Sequence, residues 1–460
     1  MNIVFVSPEC FPFAKESSLG DLVFSLSKGI EREKHNVKIF MPRYGSIDPI
    51  VSHIERIPIE FKVKFNGVLI PTYVYKGIVP NSMVNVFFLE SQNYFSNSKE
   101  IYLQESHDEE RFSFFSLATL EAISKLKLEA TIIHLFNPKT AYIAKLLSSK
   151  NIEYAQLNKI PTIFTIHNLQ EANENLMSIT KEAINLSDFI TCMSKTYASE
   201  LLSDIHNCRL KESLSKKEDC FCGIFSGIDE DIYNPEINND NSINQTYSKD
   251  YFSIGKRKCK EDLLELAGLE KNLQTPLFGI ILDLTNKEGF QLLINTIDEL
   301  SYLNLQLVIL TKSKELYEEA LIQATNKYKN IKALIVCNYN LSTKIYAGSD
   351  FFINLNKHES SGASIQIAMK YGSIPVAYEI GAVKEIVINV ELGKEANGIT
   401  FKKHNKEDLI EAISKATQLY KNKEKWTGLV KQAMSFSINS ESIAKEYIKC
   451  YERILEKKIV

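Results

Sequence analysis

The chain has 460 residues, 44% of them hydrophobic and 24% charged, with a formal net charge of −3. Those are globular values, and the length calls for two or three domains rather than one. A near-neutral charge without a long basic run excludes a dedicated nucleic-acid binder, and no apolar run approaches the ~20 residues that cross a bilayer.

The N-terminus has no basic segment leading into a cleavable apolar stretch, which reads as a cytoplasmic protein with no membrane partner. The eight cysteines are scattered. Only Cys220-Phe221-Cys222 is a close pair, and its spacing fits no zinc or redox motif, so the cysteines read as reduced thiols and no metal is expected.

In chain order, Ile3–Val6 is an apolar strand running into a loop with Pro8 and Pro12. The loop ends at Lys15 and Ser17-Ser18-Leu19-Gly20-Asp21, where a helix starts. A strand end that feeds a helix N-terminus is where α/β sheets bind phosphates. An amphipathic helix continues to about Lys34, followed by a second strand and the basic turn Pro42-Arg43-Tyr44-Gly45. Residues 60–90 are β-rich with a turn at Asn66-Gly67, the pattern of a hairpin inserted in the first domain. Strand patterns at 130–136, 161–169 and 187–194 alternate with helical ones. The polar stretch 236–254 is the predicted linker. A new alternation follows, beginning with the strand at 276–284 and ending in a helix near the C-terminus. The alternation predicts an α/β protein with two Rossmann-like halves facing a common cleft. The expected boundaries are 1–245 and 246–440, followed by a helix at 441–460.

Seven further segments occur in order: Asp108-Glu109-Glu110-Arg111-Phe112, Thr165-Ile166-His167-Asn168, Met193-Ser194-Lys195-Thr196-Tyr197-Ala198, Ser226-Gly227-Ile228-Asp229, Asn234-Pro235, Ala347-Gly348-Ser349-Asp350 and Glu359-Ser360-Ser361-Gly362. With the opening loop they resemble the bacterial glycogen synthases and plant starch synthases over nearly the whole chain. The resemblance implies the GT-B fold, with the helix at 441–460 crossing back onto the first domain, and a retaining transfer of glucose from ADP-glucose, or UDP-glucose in some relatives, to the non-reducing end of an α-1,4-glucan. It implies no metal and no cofactor beyond the donor. Cationic side chains and loop amides neutralise the leaving diphosphate in such chemistry. Lys15, Ser17, Ser18, Gly20 and Asp21 match the donor loop, His167 the histidine at the transferred glucose, and Glu359 the glutamate at the sugar. Gly362 and Gly381 match glycines on the donor side of the second domain. Taken singly, His167 reads as a packed strand-end histidine and Glu359 as a solvated loop residue. The surrounding motifs carry the assignment.

The chain also departs from that family. Ser17 and Ser18 replace two glycines, Asn137 replaces a carboxylate, and Ala382 replaces a further glycine. Asp283 and Glu288 stand where the family has the arginine and lysine that bind the diphosphate, and Lys287 is one place early. At ~5 Å and an effective dielectric near 20, each unit charge pair is worth roughly 3 kcal/mol, so two reversals should weaken ADP-glucose binding. Three readings follow: a glucan synthase with an altered donor site, an inactive paralogue that binds glucan or a partner synthase, or a transferase for another nucleotide sugar. The run Asp229-Glu230-Asp231 is expected to cap a turn rather than hold a metal.

Overall fold

The computed structural model describes every residue except 104, 150–153, 155, 168, 170–173, 204, 206–208, 238–241, 283–286, 312–314, 337–338, 439 and 460. The chain divides into two compact units, one made of Met1–Gly227 with Ile438–Val460 and the other of Ile228–Ser437.

The first unit holds a nine-stranded sheet. Its strands are β1 (Asn2–Val6), β2 (Asn36–Pro42), β3 (Glu55–Phe65), β4 (Val68–Ile78), β5 (Asn85–Glu90), β6 (Ile132–Phe136), β7 (Thr162–Ile166), β8 (Phe189–Cys192) and β9 (Phe221–Gly223). They run in the order β3-β4-β5-β2-β1-β6-β7-β8-β9. The pairs from β5 through β2, β1 and β6 to β9 are parallel, and β3-β4-β5 is antiparallel. Strands β1, β6, β7 and β8 are buried along almost their whole length, as parallel strands covered on both faces require. The inserted hairpin turns at Asn66-Gly67, where both residues take positive φ, the conformation a two-residue turn between twisted strands demands.

The C-terminal helix Ser440–Ile459 belongs to the first unit and packs on its first helix, Ser18–Arg32. Tyr447 and Tyr451 of that helix are fully buried. The Tyr451 hydroxyl lies 2.8 Å from Nδ1 of His134. The other ring nitrogen of His134 meets Thr165 Oγ1 at 2.6 Å. His134 therefore ties strand β6 to the C-terminal helix and to β7.

The second unit is an all-parallel six-stranded sheet: β10 (Leu277–Leu282), β11 (Gln306–Thr311), β12 (Ile331–Ile335), β13 (Phe351–Asn354), β14 (Ile374–Tyr378) and β15 (Ile399–Phe401). The order β12-β11-β10-β13-β14-β15 is the doubly wound 3-2-1-4-5-6 arrangement.

The predicted linker is not the boundary. The described residues of 236–254 lie inside the second unit, and the chain passes between units at Gly227–Ile228 and Ser437–Ile438. The polar stretch carries Ile243 and Tyr247, both buried, and the Tyr247 hydroxyl donates to the carbonyl of Tyr371 at 2.9 Å. A few well-spaced apolar side chains anchor a segment whose composition looks like a tether. Among the described residues, no helix is long and apolar enough to cross a membrane.

Candidate active site

In a doubly wound sheet, ligands collect outside the carboxyl ends of the strands where the strand order reverses. In the first unit that point lies between β1 and β6, and in the second between β10 and β13. The candidate residues follow these strands. Lys15, Ser17 and Ser18 come after β1, Asn137 after β6 and His167 after β7, while Glu288 follows β10 and Glu359 follows β13.

In the first unit the loop after β1 folds over a buried carboxylate that the sequence reading did not single out. Glu9 is 0% exposed. Its Oε2 accepts from the backbone N–H of Glu16 and of Ser17, both at 2.8 Å. Its Oε1 accepts from the Ser17 hydroxyl at 2.8 Å and the Tyr102 hydroxyl at 2.6 Å. A charged residue between Pro8 and Cys10, in an otherwise apolar strand-end loop, was the signal available. Ser17 is also the N-cap of the helix Ser18–Arg32, its side chain accepting from Leu19 N–H at 3.2 Å. Ser17 thus satisfies one of the orphan donors of the helix.

Lys15 reaches across the same turn to Asp21, with Nζ 2.6 Å from Oδ2. A Cβ on Gly20 would lie 3.3 Å from Cβ and Cγ of Lys15, a tight approach, so the glycine leaves room for the lysine stem. Ser18 Oγ lies 3.0 Å from Nε2 of His167. His167 is 3% exposed, and burial pushes its pKa down to about 4, so the imidazole is neutral at physiological pH. The structure therefore gathers Lys15, Ser17, Ser18, Gly20, Asp21 and His167 into one set. Asn168 lies outside the described residues.

Asn137 takes φ 72°, and its side-chain oxygen accepts from Lys139 N–H at 3.1 Å. It caps the short turn Pro138–Thr140. Lys139 turns to the buried Asp108, at 3.2 Å, which also binds Arg111 at 2.6 Å. The acidic segment at the start of the long helix Glu105–Lys125 is thereby tied into the first unit.

In the second unit Glu359 is 7% exposed. Its Oε2 accepts from the side-chain amides of Asn354 at 3.0 Å and Asn356 at 2.7 Å, and its Oε1 from Gly362 N–H at 2.9 Å. This is a built carboxylate site, not a solvated loop. The asparagines were not evident from sequence, because their role arises only when the loop after β13 folds back on itself. Gly362 takes φ +64°, and a Cβ there would meet Ile386 Cδ1 at 2.2 Å. Gly381 takes φ +51°. The next residue, Ala382, donates its N–H to the carbonyl of Glu359 at 2.9 Å, so the Gly381 loop and the Glu359 loop are joined.

Asp283 lies outside the described residues. Glu288 is described, and it changes the charge argument. Its carboxylate lies 2.7 Å from Lys357 Nζ and 3.8 Å from His358 Nε2. Burial works to raise its pKa, but the Lys357 hydrogen bond and charge draw it below the ordinary carboxylate range. The anion that the resemblance sets against a family cation is paired by a lysine two residues before Glu359. Asp229 accepts from Asp231 N–H at 2.8 Å, a turn cap, and Glu230 pairs with Lys370 at 2.7 Å. Among the described residues, no group of three or more His, Cys, Asp or Glu side chains is placed to hold a metal ion.

Comparison with known proteins agrees with this architecture. A family model described as the starch synthase catalytic domain matches residues 2–216, and one described as glycosyl transferases group 1 matches residues 265–432. A glycogen synthase of Clostridium novyi is 31% identical over 487 residues, covering 99% of this chain and all of that one. One of Fervidobacterium nodosum is 32% identical over 502 residues, covering 99% of each. Among solved structures, the catalytic domain of starch synthase IV from Arabidopsis thaliana, bound to ADP and acarbose, superposes with a TM-score of 0.90 at 27% identity, covering 99% of both chains. A sucrose-phosphate synthase from Thermosynechococcus elongatus, at 13% identity and a TM-score of 0.66, shares the fold.

Proposed function

We start from the fact that this chain belongs to the family of glycogen and starch synthases, glycosyltransferases of the GT-B fold, and propose that it transfers glucose from ADP-glucose to the non-reducing end of an α-1,4-glucan with retention. The observation that carries the reading is the intact polar construction at the strand ends. Lys15 and the capped helix start are built into one set with His167. Glu359 is held by two asparagines and a backbone amide. Both switch points are thus equipped.

In this reading Lys15 and the N–H groups at the start of the helix Ser18–Arg32 offset the negative charge of the leaving diphosphate. That is electrostatic stabilisation of charge as it develops. The neutral His167 exchanges hydrogen bonds with a sugar hydroxyl, and Glu359 offers its carboxylate to a sugar hydroxyl. Gly362 and Gly381 let the backbone approach the donor. Support for the donor and acceptor classes comes from the starch synthase IV structure, which holds ADP and acarbose.

A second reading has one observation behind it. Glu288 places a carboxylate where a diphosphate-binding lysine is expected, which favours a glucan-binding protein without transferase activity. Calorimetry of the purified chain with ADP-glucose, UDP-glucose and maltohexaose separates the two. The synthase reading expects ADP-glucose to bind alongside maltohexaose. Binding of maltohexaose alone would establish the second reading, and tighter binding of UDP-glucose than ADP-glucose would reassign the donor.

A further inference from the structure

Ser18 stands where the glycogen and starch synthases are expected to have a glycine, and it adds an atom that a glycine lacks. Its Oγ lies 3.0 Å from Nε2 of His167. A neutral imidazole offers one donor and one acceptor nitrogen, and a serine hydroxyl can satisfy either. Nε2 is therefore engaged in both tautomers. The residue that engages it is held in place: Ser18 opens the helix Ser18–Arg32, directly after the N-cap Ser17, whose hydroxyl and N–H are bound to the buried Glu9. His167 is itself buried, so its ring has little freedom to turn to another partner.

We propose that Ser18 is a specificity-determining residue of the donor site: its hydroxyl occupies Nε2 of His167 and withholds that nitrogen from the sugar half of a nucleotide sugar. This rests on the reading of His167 as the contact to the donor glucose. A sugar hydroxyl arriving at Nε2 must displace the serine hydroxyl. One hydrogen bond is exchanged for another and the net gain is near zero. With glycine or alanine at this position the nitrogen has no such competitor, and the incoming hydroxyl gains its full bond. The nucleotide half thus supplies most of the donor affinity in this chain, and the sugar adds little.

The test is calorimetry with ADP and with ADP-glucose on the full chain and on Ser18→Ala, Ser18→Thr and Ser18→Ala/His167→Ala. Loss of the hydroxyl is expected to tighten ADP-glucose by roughly three- to tenfold, the worth of one hydrogen bond, and to leave ADP within twofold. Ser18→Thr keeps the hydroxyl and should match the natural chain, and the double variant should show no gain. A structural role would move ADP and ADP-glucose together. A ligand-free readout stands beside it: the ¹⁵N shift of His167 Nε2 should move in Ser18→Ala and stay in Ser18→Thr. Equal changes for both ligands, no change for either, or an unmoved Nε2 shift would overturn the role of Ser18 while leaving the synthase reading in place. Failure of every variant to bind ADP and ADP-glucose alike would overturn that reading, and this inference with it.

Discussion

Removing the carboxylate of Glu9 should loosen the loop that carries Lys15 without unfolding the sheet beneath it. Glu9 receives four donors: the N–H groups of Glu16 and Ser17 and the hydroxyls of Ser17 and Tyr102. The two kinds of donor respond differently. A hydroxyl can rotate to another partner or accept instead of donating, whereas a backbone N–H is fixed in direction. Glu9→Gln keeps one carbonyl oxygen for the two N–H groups and sets its NH₂ against hydroxyls able to accept, so its cost is about 1 kcal/mol. Glu9→Ala leaves both N–H groups without this acceptor. At about 1–3 kcal/mol for each unsatisfied group, and toward the lower end because Glu16 is reached by water, the cost is about 3 kcal/mol. Native-state hydrogen exchange reads this locally, which matters in a chain of two units where a single unfolding free energy is ill-defined. Glu9→Ala should speed exchange at the Glu16 and Ser17 amides by about a hundredfold, and Glu9→Gln by less than tenfold. Exchange in Glu9→Ala within a few-fold of the natural chain would refute the argument that this carboxylate holds the loop.

Two further outcomes follow from the site. His167 titrates near 4 when folded against an ordinary 6.5, because burial disfavours its charged form. Below 6.5 the unfolded histidine takes up a proton that the folded one refuses, so stability falls as pH drops from 6.5 toward 4. At about 1.4 kcal/mol per pH unit, the loss is about 3 kcal/mol. The buried His134, held well below 6.5 by the same cause, adds to it in the same direction. Urea unfolding of the first unit between pH 7 and 4 should show this slope, and His167→Asn should reduce it, leaving the share of His134. Separately, Glu288→Gln should release the Lys357 ammonium, now 2.7 Å away, and tighten ADP binding two- to fivefold in calorimetry. The effect is modest because the pair is half-exposed and screened. Weaker ADP binding in Glu288→Gln would show that the carboxylate assists the nucleotide instead of repelling it.

The parallel sheets were legible because strands buried on both faces leave continuous apolar runs such as Leu307–Leu310 and Phe351–Ile353. The hairpin was legible because Asn66-Gly67 is a turn pair with a mechanism. The return of the C-terminal helix to the first unit was an expectation of the resemblance, and the structure supplies its cause in the buried Tyr447 and Tyr451 beside His134. Contacts between residues far apart in sequence could not be read ahead. Ser18 and His167 are 149 residues apart, and Glu288 and Lys357 are 69 apart. Counting charges along the chain therefore registered Glu288 as a reversal without showing which lysine pairs with it. The linker was misplaced for a related reason. Composition records that 236–254 is polar but not that Tyr247 is buried within the second unit and bonded to Tyr371.

The most direct test of the account is elongation of maltohexaose by the purified chain supplied with ADP-glucose. Products are read by mass spectrometry, and the configuration of the new linkage by NMR. Maltoheptaose and longer chains with new α-1,4 linkages are expected, abolished by Glu359→Gln. Absence of any elongation, with maltohexaose still bound, would contradict the synthase function and leave a protein that keeps the family's fold and glucan binding without its chemistry.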